Sequence, residues 1–127
     1  MIAEAHLIER WRALLTCYNE VAGQLERALH DGHDLTLSEF EALDRLVSAG
    51  CDQRRMQDLA GQMYLSQSAL SRTVARLERA GLVERALCQA DRRGVFVAPT
   101  DAGVHRHGAA RTTYLRVLAE HLTPSAA

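Results

Sequence analysis

Residues Leu65–Arg85 read LSQSALSRTVARLERAGLVER, and their reading decides the fold. Ala69, Leu70, Thr73, Val74 and Leu77 recur at spacings of three and four, which predicts one inward face of an α-helix. Ser66 is a strong N-cap, and Gly81 suits the left-handed residue that closes a helix. The face between the apolar positions is unusual. In place of the Glu and Lys of an ordinary solvated helix it carries Gln67, Ser68, Ser71, Arg72 and Arg76.

Working outward, Thr36 and Glu39 have the spacing of a capping box, in which each side chain bonds the other's backbone amide. They open a helix through Leu37, Phe40, Leu43, Leu46 and Val47 that ends at Gly50, and a short helix follows around Met56, Leu59 and Ala60. After Gly81 the period changes. LVERALC (82–88) and GVFVA (94–98) are β-prone, and the polar loop QADRR (89–93) between them makes a hairpin. Pro99 is expected to stop the second strand, and Thr100 to cap a last helix that runs to about Leu122 with Asp101 in its first turn. At the other end Leu7, Ile8, Trp11, Leu14, Leu15, Tyr18, Val21, Ala22, Leu25 and Leu29 mark one long amphipathic helix from Ile2 to about Leu29. HDGHD (30–34) breaks it, with Gly32 expected in the left-handed position. The result is a mainly α chain with a small β-hairpin.

At 127 residues the chain fits a single domain over 1–127. Apolar residues are 47% and aromatics 5%, so the core must be chiefly Leu, Val and Ala. No apolar run is long enough to span a membrane, and MIAEAHLIER lacks the basic and apolar regions of a signal peptide. Three cysteines, Cys17, Cys51 and Cys88, do not build a disulfide framework. Together these predict a cytoplasmic protein with no membrane partner. Charge is unevenly spread: residues 1–53 hold four Arg against ten acids, whereas 54–106 hold nine Arg against five. The middle of the chain is the part suited to an anionic partner. All fifteen basic residues are Arg, which a GC-rich genome explains without reference to function.

Two short helices joined by a tight turn form a helix-turn-helix, and a hairpin directly after the second makes it a winged one, spanning 34–99. The major groove of B-DNA admits one helix, and short polar side chains allow close approach. Gln and Arg pair bidentately with adenine and guanine edges, while Ser reaches bases or phosphates. Ser66, Gln67, Ser68, Ser71 and Arg72 sit at the start of the helix, and Arg76 lies one turn beyond Arg72, within reach of flanking phosphates. Arg92 and Arg93 at the hairpin tip suit a narrow minor groove, with Asp91 fixing an arginine or capping the loop. Arg54 and Arg55 are further candidates for phosphate contact.

LAGQMYLSQSALSRTVARLERAGLVER followed by DRRGVFVAPTDAG closely resembles the MarR (multiple antibiotic resistance regulator) winged-helix repressors of bacteria. The resemblance implies a transcription regulator that binds double-stranded DNA. The helix before GLVER would lie in the major groove, Asp91 and Arg93 would support minor-groove insertion, and helices 1–33 and 100–127 would build an obligate homodimer. Two departures stand out. Pro99 replaces a usual Leu, and the chain stops at EHLTPSAA where the family continues into a further interlocking helix. Either the end of the chain is missing from this sequence, or dimerisation relies on the first and last helices. The family also binds small aromatic or phenolic effectors between the dimer helices and the winged domain. Arg10, Trp11, Tyr18 and His107 could supply the aromatic wall and cation of such a site.

Competing readings rest on less. Cys17, mid-helix with no adjacent base, is expected to be a buried small residue and not a peroxide sensor, and Cys88 to be exposed near the wing. Six histidines (His6, His30, His33, His105, His107, His121) raise a metal-sensing variant, but their spacing assembles no ligand set, and His105 and His107 point to different helix faces. A winged helix used only for protein interaction would have no need of Arg72, Arg76 and Arg93 together. No phosphate loop, His-Glu-x-x-His or nucleophile motif is present, so neither an enzyme nor a required cofactor is expected.

Overall fold

The computed structural model describes residues 3–48, 54–88 and 91–122, and for Arg54, 86–88 and 91–95 the backbone alone. Its elements in chain order are α1 (Glu4–His33), α2 (Leu37–Ser48), β1 (Arg54–Arg55), α3 (Met56–Met63), α4 (Gln67–Arg79), β2 (Val83–Cys88), β3 (Asp91–Pro99) and α5 (Asp101–Leu122). The winged-helix order expected from the sequence is present, with one addition. β1 pairs antiparallel with β3 through Arg54↔Val97 and Arg55↔Phe96, giving a three-stranded sheet in the order β1-β3-β2. Two residues are too short a run for any alternation to show in sequence.

The hairpin also differs from expectation. β3 begins at Asp91 and includes Pro99, which pairs with Val83. Pro99 therefore ends the strand from within, where the ring's missing N–H costs no ladder bond further along. Asp91 pairs with Cys88 and Val95 with Leu87, so Arg92, Arg93 and Gly94 form a bulge in β3 instead of lying in the loop.

α1 has two regimes. Every residue from Ala3 to Glu20 is exposed, including Trp11 (60%), Leu14 (64%) and Tyr18 (69%). Val21, Leu25 and Leu29, one face of the second half, are buried. The helix does not stop at Gly32. It runs on to His33, and Asp34 takes the left-handed conformation at φ 55°, which its short polar side chain tolerates. α5 makes the extension possible: Arg106 Nη1 donates to the His33 carbonyl at 3.0 Å, and His33 Nε2 meets Thr113 Oγ1 at 2.7 Å. Leu35, 1% exposed, then turns the chain into the core. Cys17, one turn before Val21 on the same row, falls in the exposed half of α1 and is exposed, not buried as expected.

The capping box at α2 is formed, with the Thr36 amide on Glu39 Oε1 at 2.9 Å and the Glu39 amide on Thr36 Oγ1 at 3.0 Å. Glu26 of α1 accepts the Leu37 amide as well, placing a second carboxylate at the positive end of α2. α2, α3 and α4 close on Phe40, Leu43, Leu46, Leu59, Leu70, Val74 and Leu77, all 0% exposed, with Val97 from the sheet. Burial of each such aliphatic side chain contributes about 1.5–3 kcal/mol.

α5 packs on α2 through an aromatic stack. The His107 ring lies over Phe40 at 5.4 Å and 12°, Tyr114 flanks Phe40 at 4.5 Å, and His107 Nε2 meets Asp44 Oδ1 at 2.8 Å. Tyr114 donates its hydroxyl to Glu41 at 2.8 Å, and burial, then that bond, raises the phenol well above its ordinary range. Because the folded value is raised, the unfolded chain loses this proton first. Stability is thus full below the usual tyrosine value of about 10 and falls as pH rises through it. Tyr114→Phe is expected to cost about 1 kcal/mol at neutral pH, the net worth of one hydrogen bond. It should also flatten the alkaline decline in urea midpoint, and an unchanged decline would place its origin elsewhere.

Candidate nucleic-acid interface

The face of α4 opposite its buried row is presented outward. Gln67, Ser68, Arg72 and Arg76 are exposed and Ser71 is half-buried. Ser66 caps the helix by accepting the Ala69 amide at 3.1 Å and lies 3.3 Å from Ser68 Oγ. The first turn carries no acid, and Glu78 is the only one in the helix. The free amides and positive dipole end of α4 therefore stand beside small polar side chains, an arrangement that accepts phosphate. Arg76 Nη2 reaches back to Thr73 Oγ1 at 3.4 Å, which holds that guanidinium along the helix flank.

One contributor is not visible in the sequence. Arg85 of β2 places Nη2 3.4 Å from the Ser71 carbonyl and Nε 3.4 Å from Glu78 Oε1, bracing the wing against α4. The two partners lie on a different element across a turn, so no helical spacing links them to Arg85. Arg55 lies over the Phe96 ring at 5.7 Å, which ties it to the base of the wing. The side chains of Arg54, Asp91, Arg92 and Arg93 fall outside the described residues; the backbone of the last three sits at the distal end of the hairpin.

The four residues expected to form an effector site do not come together. Arg10 and Trp11 are exposed on the outer half of α1, and His107 is 6% exposed in the α2–α5 stack. Of the four, Tyr18 borders a cavity. That cavity, about 290 Å³, lies between α1, α2 and the turn before α4, with Tyr18, Leu25, Arg45, Met63 and Tyr64 among its walls. Arg45 Nε is itself buried from solvent, with no acceptor among the described residues. Tyr64 stands at its rim, 94% exposed and in the left-handed region at φ 56°. Among the described residues no cluster of three or more His, Cys, Asp or Glu is arranged to hold a metal, and no helix is long and apolar enough to cross a membrane.

The model of the MarR family matches residues 35–95. The crystal structure of AbsC, a MarR family transcriptional regulator from Streptomyces coelicolor, superposes with a TM-score of 0.85 at 30% identity, covering 96% of this chain and 81% of that one. The chain belongs to the MarR family. Sco3205, a MarR family regulator from the same organism solved in complex with DNA, gives a TM-score of 0.87 at 25% identity over 96% of this chain and 76% of its own. CouR from Rhodococcus jostii RHA1, bound to p-coumaroyl-CoA, gives 0.78 at 24% identity over 87% of this chain and 76% of its own. Among curated proteins no significant match is found. As a MarR-family chain, the protein is a DNA-binding transcriptional regulator, and the outward face of α4 is the surface whose chemistry suits that role.

Proposed function

We propose that two copies of this chain form a dimer that represses transcription from a pseudo-palindromic operator and is released by a small anionic effector. The observation that carries the reading is the acid-free start of α4, with Gln67, Ser68 and Arg72 exposed beside a capped helix N-terminus. In the proposed complex Gln67, Ser68, Ser71 and Arg72 read base edges in the major groove. Ser66 and Arg76 take phosphates, and Arg92 and Arg93 enter the minor groove with Asp91 in support. Two α4 helices in adjacent major grooves require half-sites about 34–36 Å apart, one helical turn.

The dimer is supported by α1. Its first half is exposed throughout, yet it carries Leu7, Ile8, Trp11, Leu14, Leu15 and Tyr18 on one stripe. An isolated helix of that length is marginal in water. Val104, Leu115 and Leu122 form a second exposed row on α5, so each of the two helices offers a second copy an apolar surface. The effector site moves from the expected residues to the cavity at Arg45. The Arg45 guanidinium group among its walls suits an anion, and Tyr18 and Tyr64 supply aromatic walls.

A selection from genomic fragments followed by anisotropy titration at several salt concentrations tests the DNA reading. A palindromic fragment should emerge, with affinity falling steeply as salt rises. Arg72→Ala should cost about 1–3 kcal/mol of binding and relax preference at one position of each half-site. Binding indifferent to salt and to Arg72 would remove the reading. Arg45→Leu tests the cavity: it relieves a buried orphan donor, so stability should hold or rise by about 1 kcal/mol. Aromatic carboxylates such as salicylate should then no longer release the variant from DNA. Release as efficient as that of the unaltered chain would place the effector elsewhere.

A further inference from the structure

α4 ends in a densely bonded junction. The Gly81 amide bonds the Glu78 carbonyl at 3.0 Å and the Leu82 amide the Leu77 carbonyl at 2.9 Å, with Gly81 at φ 77°. The next two carbonyls are taken by one residue far along the chain. Thr100 Oγ1 donates to the Gly81 carbonyl at 2.7 Å, and the Thr100 amide donates to the Leu82 carbonyl at 3.0 Å. The same hydroxyl accepts the Gly103 amide at 3.0 Å and so caps α5. Gly103 completes the contact. A Cβ at this position would stand 2.0 Å from the Leu82 carbonyl oxygen and 3.0 Å from its carbon. Both are backbone atoms, so no side-chain rotation relieves the clash. The C-terminal end of α4 and the first turn of α5 are joined backbone to backbone, and the Val83↔Pro99 pair closes the sheet beside them.

We infer that Thr100 and Gly103 are positioning residues for DNA recognition, which fix the angle of α4 against α5 and thereby the operator spacing the dimer accepts. The inference rests on the dimeric operator reading above. The lever makes the junction consequential. α4 has 13 residues, and its DNA-facing start lies at the far end from the junction, roughly 20 Å away at 1.5 Å per residue. A tilt of about 10° at the junction moves that start by about 3.4 Å, the rise of one base pair. α5 carries the exposed row of Val104, Leu115 and Leu122, so the same angle sets where each copy presents its α4.

The test uses the full chain with Thr100→Val, Thr100→Ser and Gly103→Ala, titrated on duplexes whose half-sites are moved together or apart by about one or two base pairs. An isolated half-site serves as the control. Thr100→Val and Gly103→Ala should lose roughly tenfold or more on the parental spacing, the loss a single mismatch brings. They should recover part of it on a shifted spacing, keep parental binding to the half-site, and Thr100→Ser should behave as the unaltered chain. If Gly103→Ala does not fold, Thr100→Val decides. Two results overturn the inference: an unchanged spacing preference, or equal losses on every duplex including the half-site, which marks a purely structural role. If the unaltered chain prefers no duplex, the operator reading itself falls and takes this assignment with it.

Discussion

Replacing Trp11 and Leu14 together by Glu is expected to leave a folded winged-helix domain that no longer dimerises and binds its operator at least about a hundredfold more weakly. Both side chains are more than half exposed and lie outside the buried core of their own chain. Their loss therefore costs the monomer little, since substitutions at such sites usually change stability by within about 0.5 kcal/mol. The dimer, by contrast, would have to bury two carboxylates per chain in an apolar face, which is strongly unfavourable without partners. A monomer engages a single half-site and forfeits the gain of about 10²–10⁴ that joining two binding modules provides. Light scattering and anisotropy read both effects. A third signature is local: in the monomer residues 4–20 have no buried face, so their amides should lose hydrogen-exchange protection while those of 21–33 keep it. A variant that remains dimeric with unchanged operator affinity would assign the stripe to some other contact.

The second large effect is expected at Phe40. Its ring is 0% exposed and stands between His107 and Tyr114, so it is the piece of α2 against which α5 is stacked. Phe40→Ala removes the ring and leaves a cavity whose walls are held by two separate helices, a change that costs about 3–5 kcal/mol. Total stabilities of domains this size run to about 5–15 kcal/mol, so the variant should sit close to its unfolding threshold at 37 °C. Phe40→Leu keeps most of the volume and should cost about half as much or less. Urea midpoints measured at one fixed protein concentration make the comparison, because a dimer's stability depends on concentration. A loss below about 1 kcal/mol for Phe40→Ala would show that α5 finds another seat on α2.

Much of this architecture is legible in the chain itself. Helices 2 to 5 each announce themselves by an apolar row at spacings of three and four or by a start or stop residue whose job is local. Thr36 and Glu39 bond each other's amides, Ser66 takes the Ala69 amide, and Gly81 adopts a positive φ. Such devices act within one helical turn, so the residues that matter lie side by side in the chain. The outward face of α4 is readable for the same reason: once the inward row is known, the remaining positions face out.

What the chain does not disclose depends on neighbours distant in sequence. α1 passes Gly32 because Arg106 and Thr113 of α5 bind its end. The expected effector residues share only their chemical type, and packing scatters them. His107 is part of the core against Phe40 and Asp44, Trp11 stays outside, and Arg45, inconspicuous in the LDRLV run of α2, receives the cavity. Arg85 finds its partners across a turn, and the two residues of β1 become a strand only by meeting Phe96 and Val97.

The sequence alone thus determined the order of the helices and the hairpin, the caps of α2, α4 and α5 and the chemistry of the surface offered to DNA, since each follows from periodicity and from bonds closed within a few residues. Only the tertiary structure decided which half of α1 is left exposed, where the cavity lies and how closely α4 is joined to α5. These depend on burial, orphaned donors and the 2.0 Å approach that only a glycine at 103 permits, and such quantities exist only once distant segments pack together.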